Sequence, residues 1–109
     1  MTSAEIQSAI DAMAQRIVKQ FDPVRIILFG SHARGTAGPD SDVDLMVVMP
    51  VKGSRRELAT EIDRLLTDRQ LPLDVIVVTP EQYERDRSQI GSIVRPAARE
   101  GRVLYERAA

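Results

Sequence analysis

Three short apolar runs rich in β-branched residues constrain the fold of this chain more than any other feature. They are VRIILF (24–29), DVDLMVVM (42–49) and LDVIVV (73–78). Runs of this length are typical of strands, because a helix usually needs about 10–12 residues. The first run stops at a Gly-Ser pair and the second at a proline. The sequence therefore predicts a small β-sheet whose strands are well separated along the chain.

Helical patterns lie before and between these runs. TSAE (2–5) reads as a capping box, and apolar residues follow it at three- and four-residue steps. This pattern predicts a first helix that ends before Asp22-Pro23. SRRE (54–57) is a second capping box, and the apolar face behind it predicts a helix to about Arg69.

The end of the chain continues the alternation of helix and strand. Thr79 and Pro80 are typical of a helix start, as the cap and the first helical residue. A last helix is predicted to stop at Gly101. Its apolar positions are Ile90, Ile93, Val94, Ala97 and Ala98. Residues 102–106 are compatible with a short final strand. The predicted fold class is α/β (α+β), with a small mixed sheet flanked by helices.

The composition excludes several classes of function. The 109 residues favour one domain over 1–109 and leave little room for a separate acceptor-binding domain. A net charge of -1 gives no general attraction to nucleic acid. The absence of cysteine excludes disulfides and thiolate chemistry. We see no signal peptide and no apolar run near the ~20 residues of a membrane span, so we expect a cytoplasmic protein without membrane partners.

The segment from Gly30 to Asp44 carries the features that indicate chemistry. The first apolar run leads directly into Gly30-Ser31, where we expect a loop or a helical turn. Glycine lets a backbone approach a ligand closely, and free amides at a helix start bind phosphate. The hydroxyl of Ser31 adds a donor, and Arg34 adds a positive charge for the same anion. These residues form a candidate phosphate-binding turn.

Two aspartates stand at the head of the second apolar run. Asp42 and Asp44 alternate with Val43, so we expect both carboxylates on one face and Val43 in the core. A third aspartate, Asp74, lies inside the last apolar run. Carboxylates this close repel one another, and a hard divalent cation such as Mg²⁺ relieves that repulsion. If the two strands are neighbours, three carboxylates converge as in a two-metal site for displacement at phosphorus.

Each of these features has a simpler explanation when taken alone. A Gly-Ser pair after a strand is usually only a turn, and Asp-x-Asp is more often a solvated strand end. Asp74 alone is also compatible with a buried ion pair or a frayed strand edge. His32, the only histidine, is interpreted as a loop residue. Calcium-loop, Walker and dinucleotide-binding motifs are excluded, because the residues or the glycine spacing that each requires are missing.

The segment FGSHARGTAGPDSDVDLMVV resembles the signature of the polymerase-β-type nucleotidyltransferase superfamily. That signature is Gly-Ser, ten residues, then Asp-x-Asp, and here these are Gly30, Ser31, Asp42 and Asp44. The motifs FGS-x-ARG and SD-x-DL resemble those of the minimal nucleotidyltransferase (MNT) branch in particular. The resemblance continues through LDVIVVTPEQY and REGRVLYE, and so covers most of the chain from Ile26 onward.

The resemblance implies an activity and a role for each motif residue. The activity is transfer of AMP from ATP to a hydroxyl group, with two Mg²⁺ ions. Gly30 and Ser31 would hold the β- and γ-phosphates, and Arg34 would lie near them. His32 departs from the arginine that is frequent at its position. The implied catalytic and metal-binding residues are Asp42, Asp44 and Asp74, of which the last would help deprotonate the incoming hydroxyl.

The resemblance also implies a partner protein. Small members of this family resemble antitoxins that are encoded beside a helical HEPN-domain ribonuclease toxin and silence it by adding AMP, typically to a tyrosine. The sequence leaves two alternatives open. One is a nucleotidyltransferase for a small molecule such as an aminoglycoside, and the other is an antitoxin that binds its toxin without catalysis. A hetero-oligomer and a homo-oligomer are both compatible with the sequence, and nucleic acid is not an expected partner.

Overall fold

The computed structural model describes residues 1–108 of the chain. This range contains five helices and four strands, which are joined by loops. In chain order they are α1 Ser3–Phe21, β1 Arg25–Phe29, α2 Ser31–Arg34, β2 Val43–Val48, α3 Arg55–Leu65, β3 Leu73–Val78, α4 Pro80–Asp86, α5 Val94–Glu100 and β4 Arg102–Glu106. All three apolar runs form strands, and the expected fourth strand is present. None of the helices in this range is long and apolar enough to cross a membrane.

The four strands form one mixed sheet in the order β3-β2-β1-β4. β1 pairs antiparallel with both β2 and β4, whereas β2 and β3 are parallel. A parallel pair needs a crossover between its strands, and α3 lies in that connection. The predicted mixed sheet is confirmed. The parallel pairing also means that β2 and β3 begin at the same end of the sheet.

Apolar residues cover both faces of the sheet. On the first face, Val43, Leu45 and Val47 of β2 belong to a cluster with buried residues of α1 and α3. On the second face, Met46 and Val48 belong to a cluster with buried residues of α4 and α5. The alternation along β2 therefore sends odd-numbered residues towards α1 and α3 and even-numbered residues towards α4 and α5. Asp44 shares the second face with Met46 but lies nearer the strand start.

The helix ends are as predicted at α1 and differ at α3. At α1 both hydrogen bonds of the capping box are present, and the helix ends at Phe21. At α3 the side chain of Ser54 caps the helix, but the helix ends at Leu65, before the predicted Arg69. The Arg69 guanidinium donates hydrogen bonds to the backbone carbonyl oxygens of Asp63 (3.3 Å) and Leu66 (3.0 Å). These bonds satisfy carbonyls at the helix end, so the chain turns without another helical turn.

The prediction that Ile90 belongs to the last helix is wrong, because α5 begins at Val94. Ile90 is 86% exposed and lies in the turn between α4 and α5. Gly91 in this turn has a φ of 87°, a left-handed conformation that interrupts a helix. The Ser92 hydroxyl then accepts a hydrogen bond from the backbone amide of Arg95 (3.1 Å), within the first turn of α5. The apolar period alone did not reveal this break.

Gly101, between α5 and β4, lies where no side chain fits. A Cβ there would overlap the carbonyl oxygen of Ala97 and lie 2.5 Å from Cγ2 of Ile27. We expect Gly101→Ala to lower the free energy of unfolding by about 2–3 kcal/mol, because α5 must shift away from the sheet. Gly38→Ala is the control, since its new Cβ would meet only Ser41 Oγ, at 3.9 Å. Chemical denaturation measures the difference, and equal stabilities would contradict this packing.

Candidate functional site

Asp44 and Asp74 face each other across the parallel strands. They are partners in the β2–β3 register, and each is the second residue of its strand. Partners on neighbouring strands lie about 5 Å apart and point to the same face of a sheet. Asp44 is half-buried, and Asp74 is exposed on the outermost strand β3. From the sequence, the carboxylates are expected to converge if β2 and β3 are neighbours, and the two strands are neighbours.

Asp42 precedes the first residue of β2 and is exposed. Val43, between the two aspartates, is completely buried, as predicted from the alternation. The amide of Val43 donates a hydrogen bond to the carbonyl oxygen of Pro72 (2.8 Å), which extends the β2–β3 pairing to the strand start. Asp42 therefore stands just outside the regular sheet, and the loop before it influences its position.

Gly30 packs directly against the Asp44 side chain. Its backbone angles are φ 74° and ψ -156°, a combination that is essentially restricted to glycine. A Cβ at this position would overlap Oδ2 of Asp44 and lie 3.1 Å from its Cγ. The glycine is therefore required both by its conformation and by the space that the carboxylate occupies. The sequence predicted a close approach at Gly30, but to a ligand rather than to this aspartate.

The short helix α2 begins immediately after Gly30. Its first hydrogen bonds run from the amides of Ala33 and Arg34 to the Gly30 carbonyl oxygen, both at 3.1 Å. The amides of Ser31 and His32 precede these bonds and lie at the free start of the helix. Ser31, the first residue of α2, is half-buried, and Arg34, its last residue, is exposed. This geometry is compatible with the phosphate-binding turn that the sequence predicts.

The charged side chains at this end of the sheet shift the pKa of Asp44. Burial raises the pKa of the Asp44 carboxyl, and the negative charges of Asp74 and Asp42 raise the pKa further. Positive charge on His32 and Arg34 opposes this rise in the pKa. The structure thus brings three of the other predicted site residues (Asp42, Asp74 and Arg34), and His32, within electrostatic reach of the Asp44 carboxyl.

The chemistry of these donors fits a hard divalent cation. All three acidic side chains offer carboxylate oxygens, the ligands that Mg²⁺ prefers, and none of them forms an ion pair within residues 1–108. In the same range, no three acidic, histidine or cysteine side chains are already grouped as a metal site. The strands therefore place the three aspartates at one end of the sheet, but their side chains are not arranged as metal ligands.

His32 makes a contact that the sequence did not reveal. Its Nε2 lies 3.2 Å from the carbonyl oxygen of Ser41, at the far end of the loop that leads to Asp42. His32 also borders a groove of about 640 Å³, which α1 and residues 70–71 line as well. A lone histidine in a polar loop carries no signal for such a contact, since its partner is a backbone carbonyl.

A family model described as a nucleotidyltransferase domain matches residues 10–102. The chain belongs to this family. The match includes the Gly30 turn and all three aspartates of the site. The resemblance inferred from the motif is therefore confirmed at the level of the family, and the chain is a nucleotidyltransferase domain.

One relative of this nucleotidyltransferase domain is a Methanocaldococcus jannaschii protein named as a protein adenylyltransferase, MJ1305. The two sequences are 38% identical over 78 residues, which is 70% of this chain and 50% of the relative. The chain thus spans about half the length of this relative.

Solved structures share the fold of the nucleotidyltransferase domain. A Sulfolobus solfataricus protein described as a nucleotidyltransferase superposes with a TM-score of 0.67 at 16% identity, over 96% of this chain and 84% of that one. A toxin–antitoxin structure with AMP-PNP gives a TM-score of 0.58 at 22% identity, over 89% and 73% of the two chains. The toxin–antitoxin MntA-HepT gives 0.55 at 18% identity, over 93% and 73%. These similarities confirm the predicted fold class.

Proposed function

We propose that this chain is a Mg²⁺-dependent enzyme that transfers AMP from ATP to a hydroxyl group of a partner protein. The observation that carries the proposal is the register pairing of Asp44 with Asp74 directly beside Gly30. Carboxylates next to a glycine turn are suited to hold divalent cations and a triphosphate together, as displacement at phosphorus requires.

Each residue of the proposed site has a part in this chemistry. Gly30 and Ser31 would hold the β- and γ-phosphates, with Arg34 near them. The implied metal ligands are Asp42, Asp44 and Asp74. The chemistry that Mg²⁺ supplies at such a site is neutralisation of phosphate charge and polarisation of the attacking hydroxyl.

The proposed reaction joins the acceptor to the nucleotide in one displacement. The acceptor oxygen forms a bond to the α-phosphorus of ATP, and the bond from that phosphorus to pyrophosphate breaks. Asp74 accepts the proton of the hydroxyl. Its exposure on the outermost strand supports this role, because an acceptor can approach it from solvent.

We further propose that the acceptor is a tyrosine of a HEPN-domain toxin and that this chain is the antitoxin, acting in the cytoplasm. Two comparisons support a protein acceptor of this kind. The M. jannaschii relative is named as a protein adenylyltransferase, and two of the similar structures are toxin–antitoxin complexes, one of them with AMP-PNP.

The test is intact mass spectrometry of the protein encoded by the neighbouring gene, after incubation with this chain, Mg²⁺ and ATP. We expect a mass gain of one or more AMP units, and fragmentation is expected to locate the modification on tyrosine. The matched control is Asp42→Asn, which removes one charge at nearly constant volume and is expected to abolish the gain. In cells, the same variant is expected to lose the ability to neutralise the partner.

Two results would contradict the proposal. Neutralisation in cells by Asp42→Asn, without any mass gain, would favour an antitoxin that acts only by binding. Modification of an aminoglycoside but not of the protein would favour a small-molecule acceptor.

A further inference from the structure

The loop between α2 and β2 is closed by its own hydrogen bonds. The amide of Thr36 donates to the Ser31 carbonyl oxygen (3.0 Å), and the amide of Gly38 donates to the Ser41 hydroxyl (2.8 Å). These bonds organise the two ends of the loop separately. In the described part of the chain, the contact between His32 Nε2 and the Ser41 carbonyl oxygen is the hydrogen bond that connects α2 with residues 38–41. The loop therefore depends on His32 for the link between its ends.

We propose that His32 is a positioning residue that holds Asp42 beside Asp44 through the carbonyl of Ser41. This inference rests on the proposed function, because it concerns the same metal-binding carboxylates. Asp42 lies outside the hydrogen-bonded strand, so the preceding loop influences where its carboxylate stands. Mutual repulsion of the carboxylates acts to move Asp42 outward, and a fixed contact at the adjacent residue opposes that movement.

The contact also assigns the proton on the imidazole ring. A carbonyl oxygen accepts, so Nε2 must carry the hydrogen in this bond. The same ring lies within electrostatic reach of the Asp44 carboxyl. His32 therefore links the loop before Asp42 to the end of the sheet that carries the carboxylates.

Packing alone does not account for the position of the ring. The histidine is half-buried, and one side of it borders the open groove of about 640 Å³. The apolar residues Ile6, Ile10 and Leu71 line the same groove. A ring that borders open space is held less by its neighbours than by its hydrogen bond. The proposal therefore predicts that a hydrogen-bond donor at the position of Nε2 is more important for placing Asp42 than the imidazole ring itself.

The test compares two amide substitutions at position 32. In His32→Gln the amide nitrogen reaches the position of Nε2, whereas in His32→Asn it matches only Nδ1. Titration of nucleotide-free protein with Mn²⁺, followed by electron paramagnetic resonance, measures the affinity for a divalent cation. We expect His32→Asn to weaken Mn²⁺ binding by about 10- to 100-fold, the usual effect of losing a residue that orients metal ligands. We expect His32→Gln to stay within about threefold of wild type.

Hydrogen exchange supplies a second measurement that requires neither metal nor activity. We expect the backbone amides of residues 41–43 to exchange faster in His32→Asn than in wild type, and His32→Gln to restore the slow rate. This comparison remains decisive if either variant loses stability, because exchange in the buried central strand β1 reports global unfolding separately.

The outcomes distinguish the two proposals. If His32→Asn binds Mn²⁺ as wild type does while Asp42→Asn loses it, the positioning role is wrong and the proposed site stands. If His32→Gln loses as much affinity as His32→Asn, the donor argument is wrong. If wild type binds no Mn²⁺, the proposed metal site fails and the positioning role fails with it, whatever the exchange rates.

Discussion

Replacing Asp44 with asparagine is expected to abolish nucleotidyl transfer and at the same time to stabilise the fold at neutral pH. The loss of activity is expected to be about 10³-fold or more, because the substitution removes the charge at the centre of the carboxylate group. The gain in stability has a different origin, in the electrostatics of the carboxyl itself. Burial and the charges of Asp74 and Asp42 raise the pKa of Asp44 above its ordinary value of 3.8.

The sign of the stability change follows from that rise in pKa. Well below pH 3.8 the carboxyl is protonated in both the folded and the unfolded chain, and its charge has no effect on stability. As the pH rises towards the raised pKa, the unfolded chain ionises first, so the free energy of unfolding falls. At neutral pH the wild type bears the full cost, which Asp44→Asn removes. We expect a gain of at most about 1 kcal/mol, since solvent screens this half-exposed group.

Thermal melting with and without Mg²⁺ measures the change in stability and the loss of metal binding, and the mass assay measures transfer. Without metal at pH 7, we expect Asp44→Asn to melt up to about 5 °C higher than wild type, and we expect the difference to disappear in acid. With Mg²⁺ the wild type is expected to gain stability by binding the ion, whereas the variant is not. Asp40→Asn, an exposed position in the same loop, is the matched control and is expected to leave melting unchanged. A less stable Asp44→Asn variant in metal-free buffer would contradict the electrostatic argument.

Gly30→Ala is expected to damage both folding and transfer. The alanine side chain would have to adopt a conformation that is essentially restricted to glycine and to displace Oδ2 of Asp44. Together these effects are expected to lower the free energy of unfolding by about 2–4 kcal/mol. Transfer by the folded fraction is expected to fall nearly as far as in Asp44→Asn, because the carboxylate can no longer occupy its position.

Gly35→Ala separates backbone strain from the contact with Asp44. Gly35 also has a positive φ, 75°, but a Cβ there would meet nothing within 4 Å. We expect this variant to lose only about 1 kcal/mol of stability and to keep transfer within a few-fold of wild type. Denaturation and the mass assay on both variants provide the comparison. Equal losses of activity in Gly30→Ala and Gly35→Ala would show that the close approach of Gly30 to Asp44 is unimportant.

The strands, most helix ends and the motif residues could be predicted from the amino-acid sequence. These features depend on local physics: the period of apolar residues, the caps at residues 2 and 79, and the glycine turn after β1. Two local predictions failed. The helix α3 ends before Arg69, because the side chain of Arg69 satisfies its terminal carbonyls, and α5 begins after Ile90, because Gly91 interrupts the apolar pattern.

The assembly of the site could not be predicted from the sequence, because it depends on contacts between distant segments. Asp44 and Asp74 are separated by a helix and two loops, and whether their strands are neighbours depends on the packing of the whole sheet. The same holds for the approach of Gly30 to Asp44 and for the contact of His32 with the backbone of Ser41. Such contacts join groups with no fixed spacing along the chain, so no periodicity or capping rule encodes them. They form because burial of apolar residues on both faces of the sheet sets the strand order, and the strand order brings the polar groups together.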